Sequence, residues 1–343
     1  MSTYTASWKS PSNIALVKYW GKKANGIQLP ANASISFTLN HCSTTTKLTY
    51  MEQETLEIEV LLEGKSESGF VPKIQKFIER IAPIFPFVKT GKYLVDTSNS
   101  FPHSSGIASS ASGMSALALC ICDIAKEKGL LAEKDFKQTA SVLARLGSGS
   151  ASRSVYGPLG EWGFHPEFEG SSDEFAIPFS DIHPVFSDFC DTILLVHQGQ
   201  KTVSSTVGHN LIDEHPFAPQ RFEQAQDNMS ELKQILKSGD LDKFIALVES
   251  EALTLHSLMM SSNPYFILMK PNTLKIIGAI WEKRRTDNVK WCFTLDAGAN
   301  VHFLYPQADK QAAEAFIENE LKQYCENGAY IHDEVGMGAE RVA

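Results

Sequence analysis

The sequence predicts an α+β fold in two domains, and three observations carry that expectation. The chain has 343 residues, enough for about two domains at roughly 150 residues each. Short β-branched or alternating runs and longer runs of helical period both occur along it. They intermix without the steady strand–helix–strand rhythm of a doubly wound parallel sheet. No internal repeat or low-complexity linker interrupts the chain. The boundary is expected near 185–190, in the loop around "DIHPVFSD", giving units 1–188 and 189–343.

In the first unit, strand-like runs stand at 34–39, 44–50, 56–62 and 93–95. The spacing of Phe70, Ile74, Phe77, Ile78 and Ile81 predicts a helix over 71–81 with one apolar stripe. A small-residue stretch then turns into helical spacing at Met114, Leu117, Ala118, Ile121, Cys122 and Ala125. A further helix is expected over 135–146, with Phe136, Ala140 and Leu143 inward. The second unit opens with a strand at 191–198, "DTILLVHQ". Helices follow at 218–237, stopped by Gly239, at 241–260, capped by Asp240, and at 272–285. "KWCFTLDAGANVHFLY" reads as two strands joined by a tight turn, followed by a helix near 308–325 and a strand near 329–335.

Composition narrows the function. With 43% hydrophobic and 21% charged residues the chain reads as an ordinary soluble globular protein. No apolar run approaches the roughly 20 residues that cross a bilayer, and the N-terminus lacks the basic start and apolar core of a signal peptide. A cytoplasmic enzyme is expected, with no membrane partner. Thirty-one basic against forty acidic residues give a formal charge of −9, which argues against a nucleic-acid surface. An anionic ligand would therefore need a local positive island. The six cysteines are scattered, without a CxxC pair, and read as buried reduced thiols. The ten histidines show no HxxxH or HExxH spacing, so no protein-built zinc site is expected.

Four stretches could carry chemistry. "FPHSSGIASSASG", at 101–113, pours a loop of small residues into a helix start. Small residues let backbone approach a ligand, and a helix N-terminus offers unpaired N–H groups, so phosphate fits. A Ser-rich N-cap packed against a neighbour fits equally. It is no Walker loop, because GxxxxGK[ST] is absent. "RLGSGSASRSVYG", at 145–157, brings Ser148, Gly149, Ser150 and Arg153 together as a plausible oxyanion cradle, or as a glycine-capped helix end with a surface arginine. "NIALVKYWGKKANGIQLP", at 13–30, sets Lys18, Tyr19, Trp20 and Lys22 after an apolar run. That cluster suits the anionic end of a substrate or, alternatively, an edge strand blunted by lysines. Asp296 in "TLDAGAN" lies at a turn. It either caps its own backbone or offers a positioned carboxylate to a substrate hydroxyl. "KTVSSTVGH", at 201–209, is by itself an ordinary polar loop.

Taken in order, NIALVKYWGK, FPxxxGxASSASG, GSGSASRS-YG, VSSTxG and DAGxN closely resemble the mevalonate diphosphate decarboxylases. That family belongs to the superfamily of galactokinase, homoserine kinase, mevalonate kinase and phosphomevalonate kinase. The resemblance runs from Asn13 to "DEVGMGAE" near the C-terminus. It implies an N-terminal domain of that superfamily with a left-handed βαβ crossover, holding the ATP loop and the anion-binding motifs, and a ferredoxin-like C-terminal domain carrying Asp296. It implies Mg-ATP along the loop from Pro102, through Ser105 and Gly106, to Ser109 and Ser110. Thr97 and Asn99 would contact the nucleotide, and Ser109 or Ser110 would meet phosphate or Mg2+, with no dedicated metal site in the protein. Tyr19, Lys22, Ser148, Gly149, Ser150, Arg153, Ser205 and Thr206 match positions holding the diphosphate and carboxylate of mevalonate 5-diphosphate. Asn13 would orient Arg153, Lys18 would lie near the transferred phosphate, and Asp296 would face the tertiary hydroxyl. A homodimer is implied as well.

The implied reaction is ATP-dependent decarboxylation to isopentenyl diphosphate, ADP, phosphate and CO2 through 3-phosphorylation, in the mevalonate pathway of isoprenoid biosynthesis. A phosphomevalonate decarboxylase, a mevalonate 3-kinase-like enzyme and a non-catalytic ATP-binding relative are the alternatives. The chain departs from the family pattern in reading FPHSSG for FPTAAG, RLGSGSASRS for RQGSGSACRS and DAGAN for DAGPN. It also has Pro158 where YGG is usual, and STVGH for STxGM, placing His209 where methionine is usual. Thr206 stands where some bacterial members carry arginine.

Overall fold

A computed structural model describes residues 2–24, 26–102, 107–199, 208–209, 211–212 and 214–342. Two sheets organise the described residues. The first has the order β12–β1–β2–β5–β3–β4, with β6 also on β2 and β7 on β6. Its long members are β1 (Thr3–Val17) and β2 (Ser34–Met51), which pair antiparallel. The early half of β2 pairs with β6 (Leu159–Trp162), which carries β7 (Ala176–Phe179), and the later half pairs with β5 (Gly91–Asn99). β3 (Leu56–Leu62) lies parallel to β5, and β4 (Lys65–Ser66) and β12 (Glu340–Arg341) finish the two edges.

Three helices cover this sheet. α1 (Val71–Ile81) buries Ile74, Phe77, Ile78 and Ile81, the stripe its spacing predicts. α2 (Ser109–Glu127) is buried almost all round, so it reads as apolar throughout rather than amphipathic. α3 (Phe136–Gly147) packs beside it, with Phe136, Ala140 and Leu143 in the same core.

The second sheet is wholly antiparallel, in the order β11–β8–β10–β9. Its strands are β8 (Cys190–Leu194), β9 (Cys292–Thr294), β10 (Val301–Tyr305) and β11 (Tyr330–Glu334). Between β8 and β9 come α4 (Ala218–Ser238), α5 (Leu241–Met260) and α6 (Pro271–Asp287), and α7 (Lys310–Phe316) joins β10 to β11. This is the split β-α-β arrangement of a ferredoxin-like fold. Alternation along the strands divides the side chains between two cores. Ile193, Cys292 and Leu304 join a cluster shared with α4, α5 and the first sheet's Ile14, Leu16, Ile35 and Phe37. Leu194, Phe293, Val301, Phe303 and Tyr305 join α6 and α7.

Three expectations need correction. The runs at 34–39 and 44–50 are one strand, because Asp333 of β11 accepts hydrogen bonds from the backbone N–H groups of Asn40, His41 and Cys42 at 2.9, 2.8 and 2.6 Å and bridges the polar interruption. The link between β9 and β10 is no tight turn, since residues 295–300 lie outside both strands. The helix expected near 308–325 breaks after α7 into a π turn, Ile317–Leu321, and a 3-10 turn, Lys322–Tyr324. The end of the chain returns to the first domain through two glycines. A Cβ on Gly157 would lie 2.4 Å from the Gly338 nitrogen, and Gly338 has φ +93°, so no other residue fits either place.

Candidate active site

A cavity of about 380 Å³ opens where the two sheets meet. β1 brings Asn13 into it, and the segment just beyond β1 brings Lys18, Tyr19 and Lys22. The turn after α3 brings Ser148, Gly149, Ser150 and Arg153, the start of α2 brings Ser110, and the β9–β10 link brings Asp296. Segments as far apart as residues 13 and 296 therefore share one wall.

Lys18 is the centre of charge. It is 2% exposed, and its Nζ donates to Asp296 Oδ1 at 3.2 Å. Burial lowers its pKa, while the Asp296 carboxylate, by charge and by hydrogen bond, holds it up. The Lys18 backbone is clamped on both sides. Its N–H donates to Glu251 Oε2 at 2.8 Å, and its carbonyl accepts from Asn32 Nδ2 at 3.0 Å and from Arg221 Nη2 at 3.2 Å. Arg221 and Glu251 form a buried ion pair, 2.6 Å at its closest. The Asp296 carbonyl is in contact with His256 Nε2 at 3.1 Å, so α5, through Glu251 and His256, holds both partners of the Lys18–Asp296 pair.

Arg153 is 2% exposed. Its Nη1 donates to Ser34 Oγ at 2.5 Å and its Nη2 to Asn13 Oδ1 at 3.3 Å. The Asn13 amide is itself oriented, because its Nδ2 donates to Ser154 Oγ at 2.7 Å and to the Ser150 carbonyl at 3.2 Å. Burial lowers the arginine's pKa to about 10, with Asp296 and Tyr19 opposing the shift, and the guanidinium stays charged. Beside it Glu161 is buried, and neither carboxyl oxygen has a hydrogen-bond partner among the described residues. That burial raises its pKa well above the usual carboxylate value, against the pull of Arg153. Tyr19 also has an unpartnered, buried hydroxyl. Its ring meets Trp162 edge-on at 4.7 Å, and Gly149 makes room for both. A Cβ on Gly149 would come within 2.8 Å of Trp162 and 3.0 Å of the Tyr19 hydroxyl.

α2 begins without a side-chain cap, behind Ala108 in the left-handed region at φ +44°. In the first turn the N–H groups of Ala111 and Ser112 donate to the Ala108 carbonyl at 2.7 and 3.4 Å, which leaves those of Ser109 and Ser110 without an intrahelical partner as the donors at this end. Ser110 Oγ accepts from Lys73 Nζ at 3.0 Å. Lys73 keeps an exposed side chain although crowding around its ammonium lowers its pKa.

The structure thus brings together Asn13, Lys18, Tyr19, Lys22, Ser110, Ser148, Gly149, Ser150, Arg153 and Asp296. Thr97, Asn99, Pro102 and Ser109 lie outside the cavity wall. Asn99 stays close to it, since Thr44 Oγ1 donates to its Oδ1 at 2.7 Å and lies 2.6 Å from Ser112 Oγ in the first turn of α2. Thr97 Oγ1 is 3.0 Å from Thr46 Oγ1. Ser105, Gly106, Ser205 and Thr206 lie outside the described residues. Lys73, Ser34, Arg221 and His256 are participants that sequence reasoning missed. Lys73 stands on the polar face of an amphipathic helix and gives no signal. Glu251 could have been noticed as an acid inside the apolar run of α5.

Among the described residues no three His, Cys, Asp or Glu side chains gather into a metal cage. Asp296 and the Ser110 hydroxyl are oxygen donors on the cavity wall, and such a set suits Mg2+ arriving on nucleotide phosphates, because Mg2+ keeps several waters and takes few protein oxygens.

Comparison with known proteins agrees with this arrangement. A family model for the diphosphomevalonate decarboxylase-like N-terminal domain matches residues 10–173, and one for the mevalonate 5-diphosphate decarboxylase C-terminal domain matches 192–338. The diphosphomevalonate decarboxylase of Candida albicans is 29% identical over 319 residues, spanning 90% of this chain and 86% of its own. The human enzyme is 27% identical over 308 residues, spanning 85% and 74%. Among solved structures, mevalonate diphosphate decarboxylase from Staphylococcus aureus superposes with a TM-score of 0.86 at 28% identity, over 100% of this chain and 99% of that one. The complex of MDDEF with MVAPP, AMPPCP and magnesium superposes with a TM-score of 0.85 at 27% identity, over 99% of each chain.

Proposed function

The chain belongs to the diphosphomevalonate decarboxylase family, and from that premise we propose that it converts mevalonate 5-diphosphate and Mg-ATP into isopentenyl diphosphate, ADP, phosphate and CO2. The observation that carries this reading is the Lys18–Asp296 pair, a carboxylate and a buried ammonium 3.2 Å apart in the same cavity as Arg153. One acid set among cations suits a substrate that is anionic at both ends and carries a hydroxyl between them.

In this reading Arg153, fixed by Asn13 and Ser34, takes the substrate carboxylate and diphosphate together with Tyr19, Lys22 and the hydroxyls of Ser148 and Ser150. The family resemblance assigns Ser205 and Thr206 to the same anion contacts. Asp296 faces the tertiary hydroxyl. It orients the oxygen and takes its proton as the O–P bond forms and the bond to ADP breaks. Full ionisation of so weak an acid beforehand is unnecessary, and general-base assistance of this kind contributes about 10²–10⁴-fold. Lys18 lies beside the transferred group, where fixed positive charge stabilises it. The C3–O bond then breaks with phosphate as leaving group. The electron pair of the C1–C2 bond becomes the alkene, and CO2 departs. Nucleotide would lie along the start of α2, with Thr97, Asn99, Pro102, Ser105 and Gly106 around it and Ser109 or Ser110 against phosphate or its Mg2+. The bound ion supplies charge neutralisation on the phosphates.

The division at 188/189, a homodimer and a cytoplasmic setting belong to the same proposal. The family resemblance supports them, and no helix among the described residues is long and apolar enough to cross a membrane. The test mixes protein, Mg-ATP and mevalonate 5-diphosphate and measures ADP and CO2 together. Equal release is expected. ADP alone would make the protein a kinase, neither product would overturn the reading, and a preference for the 5-monophosphate would reassign the substrate.

A further inference from the structure

We propose that His209 is a neutral hydrogen-bond donor to the substrate's phosphate end, a contact that a methionine at this position of the family pattern could not make. The inference deepens the proposed function and rests on it. The ring lines the cavity and is 8% exposed. It is held between two aromatic faces, with centroids 4.3 Å from Tyr19 and 4.6 Å from Trp20. Its Nδ1 accepts a hydrogen bond from the Gly21 backbone N–H at 3.1 Å. A nitrogen that accepts carries no proton, so the neutral ring holds its proton on Nε2. Nε2 has no hydrogen-bond partner among the described residues.

Protonating Nδ1 would set two N–H groups against each other. Burial, with Lys22 and Arg153 nearby, pushes the pKa of this ring down to about 3, so it stays neutral at working pH. Geometry locates it. The ring contacts with Tyr19 and Trp20 and the hydrogen bond from the Gly21 N–H seat His209 against residues 19–21, next to Lys22. A diphosphate presents more acceptor oxygens than a few cations can satisfy. An uncharged donor satisfies one of them without adding repulsion to a crowded positive wall. Thioether sulfur offers no N–H.

The test uses full-length enzyme labelled with 15N-histidine, and the His209 signal is assigned by its loss in His209→Met. Isopentenyl diphosphate, which has the diphosphate but no carboxylate, is expected to shift the Nε2–H resonance as mevalonate 5-diphosphate does. His209→Met is expected to raise the KM for mevalonate 5-diphosphate and the inhibition constant of isopentenyl diphosphate about tenfold, the loss of one hydrogen bond to a charged acceptor. His209→Gln, which keeps an N–H, should recover most of that loss. A shift with substrate but not with isopentenyl diphosphate would assign the carboxylate instead and overturn the proposal. So would an unmoved resonance in an enzyme that turns over normally. An enzyme that neither binds nor converts mevalonate 5-diphosphate would overturn the proposed function first.

Discussion

At Lys18 two opposing effects meet in one side chain. Burial disfavours its charged form, and the Asp296 carboxylate at 3.2 Å favours it, with burial prevailing. Bound substrate anions add negative charge and push the other way. The alkaline limb of kcat/KM, which reports free enzyme, should therefore fall below the ordinary lysine value of 10.5, as the ammonium loses its proton earlier. The limb of kcat should stand at higher pH. Coincident limbs in a pH–rate series would remove Lys18 from the profile. Asp296→Asn sharpens the same point. The amide keeps the shape but cannot take a proton, so turnover should drop at least about 10²-fold while ATP binding survives. Lys18 would also lose its counter-charge, so the residual activity should show an alkaline limb displaced to lower pH. Single-turnover kinetics and nucleotide calorimetry separate the two effects. Either residue was visible in the sequence as a candidate. Their pairing was not, because 278 positions separate them and no periodicity links them.

α5 shows how an element can act as one tool. Glu251 accepts from Arg221 at 2.8 and 2.6 Å, from Asn228 at 2.6 Å and from the Lys18 backbone at 2.8 Å. Five residues on, His256 reaches the carbonyl of Asp296. The helix thus fixes a strand end and a loop that meet in one wall of the cavity. Glu251→Ala would leave the Arg221 guanidinium buried without its anion, a loss of about 3–5 kcal/mol. Urea unfolding should show that loss, and a drop below about 1 kcal/mol would mean the pair is dispensable. Elements of this kind were the legible ones. α5 spans Leu241–Met260 as its pattern and the Asp240 cap predict, and the Asp240 side chain does accept from the Lys243 N–H. β1 was legible only as an apolar run, because from Ser10 to Val17 both of its faces are buried, Ser10, Ser12 and Asn13 included. Period-2 contrast vanishes under those conditions. β6 and β7 have four residues each, too few for a pattern, and they come into being by pairing, β6 with β2 and β7 with β6.

On the scale of the whole molecule, an acidic chain of charge −9 encloses a pocket with Lys18, Lys22, Lys73 and Arg153 in its wall, and the folded state must keep several buried groups in fixed protonation states. His209 and His256 are held neutral, at pKa values of about 3 and about 4. Glu161 and Asp191 are pushed the other way, and burial raises both. The overall slope of stability against pH is the balance of these, so a single-site comparison isolates one of them. His256 is 1% exposed, and burial is the first cause of its depression. Below about pH 6.5 the unfolded chain takes a proton on this ring that the folded chain refuses. More protons bound to the unfolded state means stability rises with pH and falls on acidification. His256→Gln keeps an N–H for the Asp296 carbonyl and titrates in neither state. Between pH 7 and pH 5 the wild type should therefore lose about 2 kcal/mol relative to this variant, measured as the change in their difference in urea unfolding free energy. Every other titrating group is common to the two proteins and cancels. A gap that stays constant from pH 7 to pH 5 would mean that the folded protein protonates His256 as readily as the unfolded chain does, and the neutral donor behind Asp296 would then be lost.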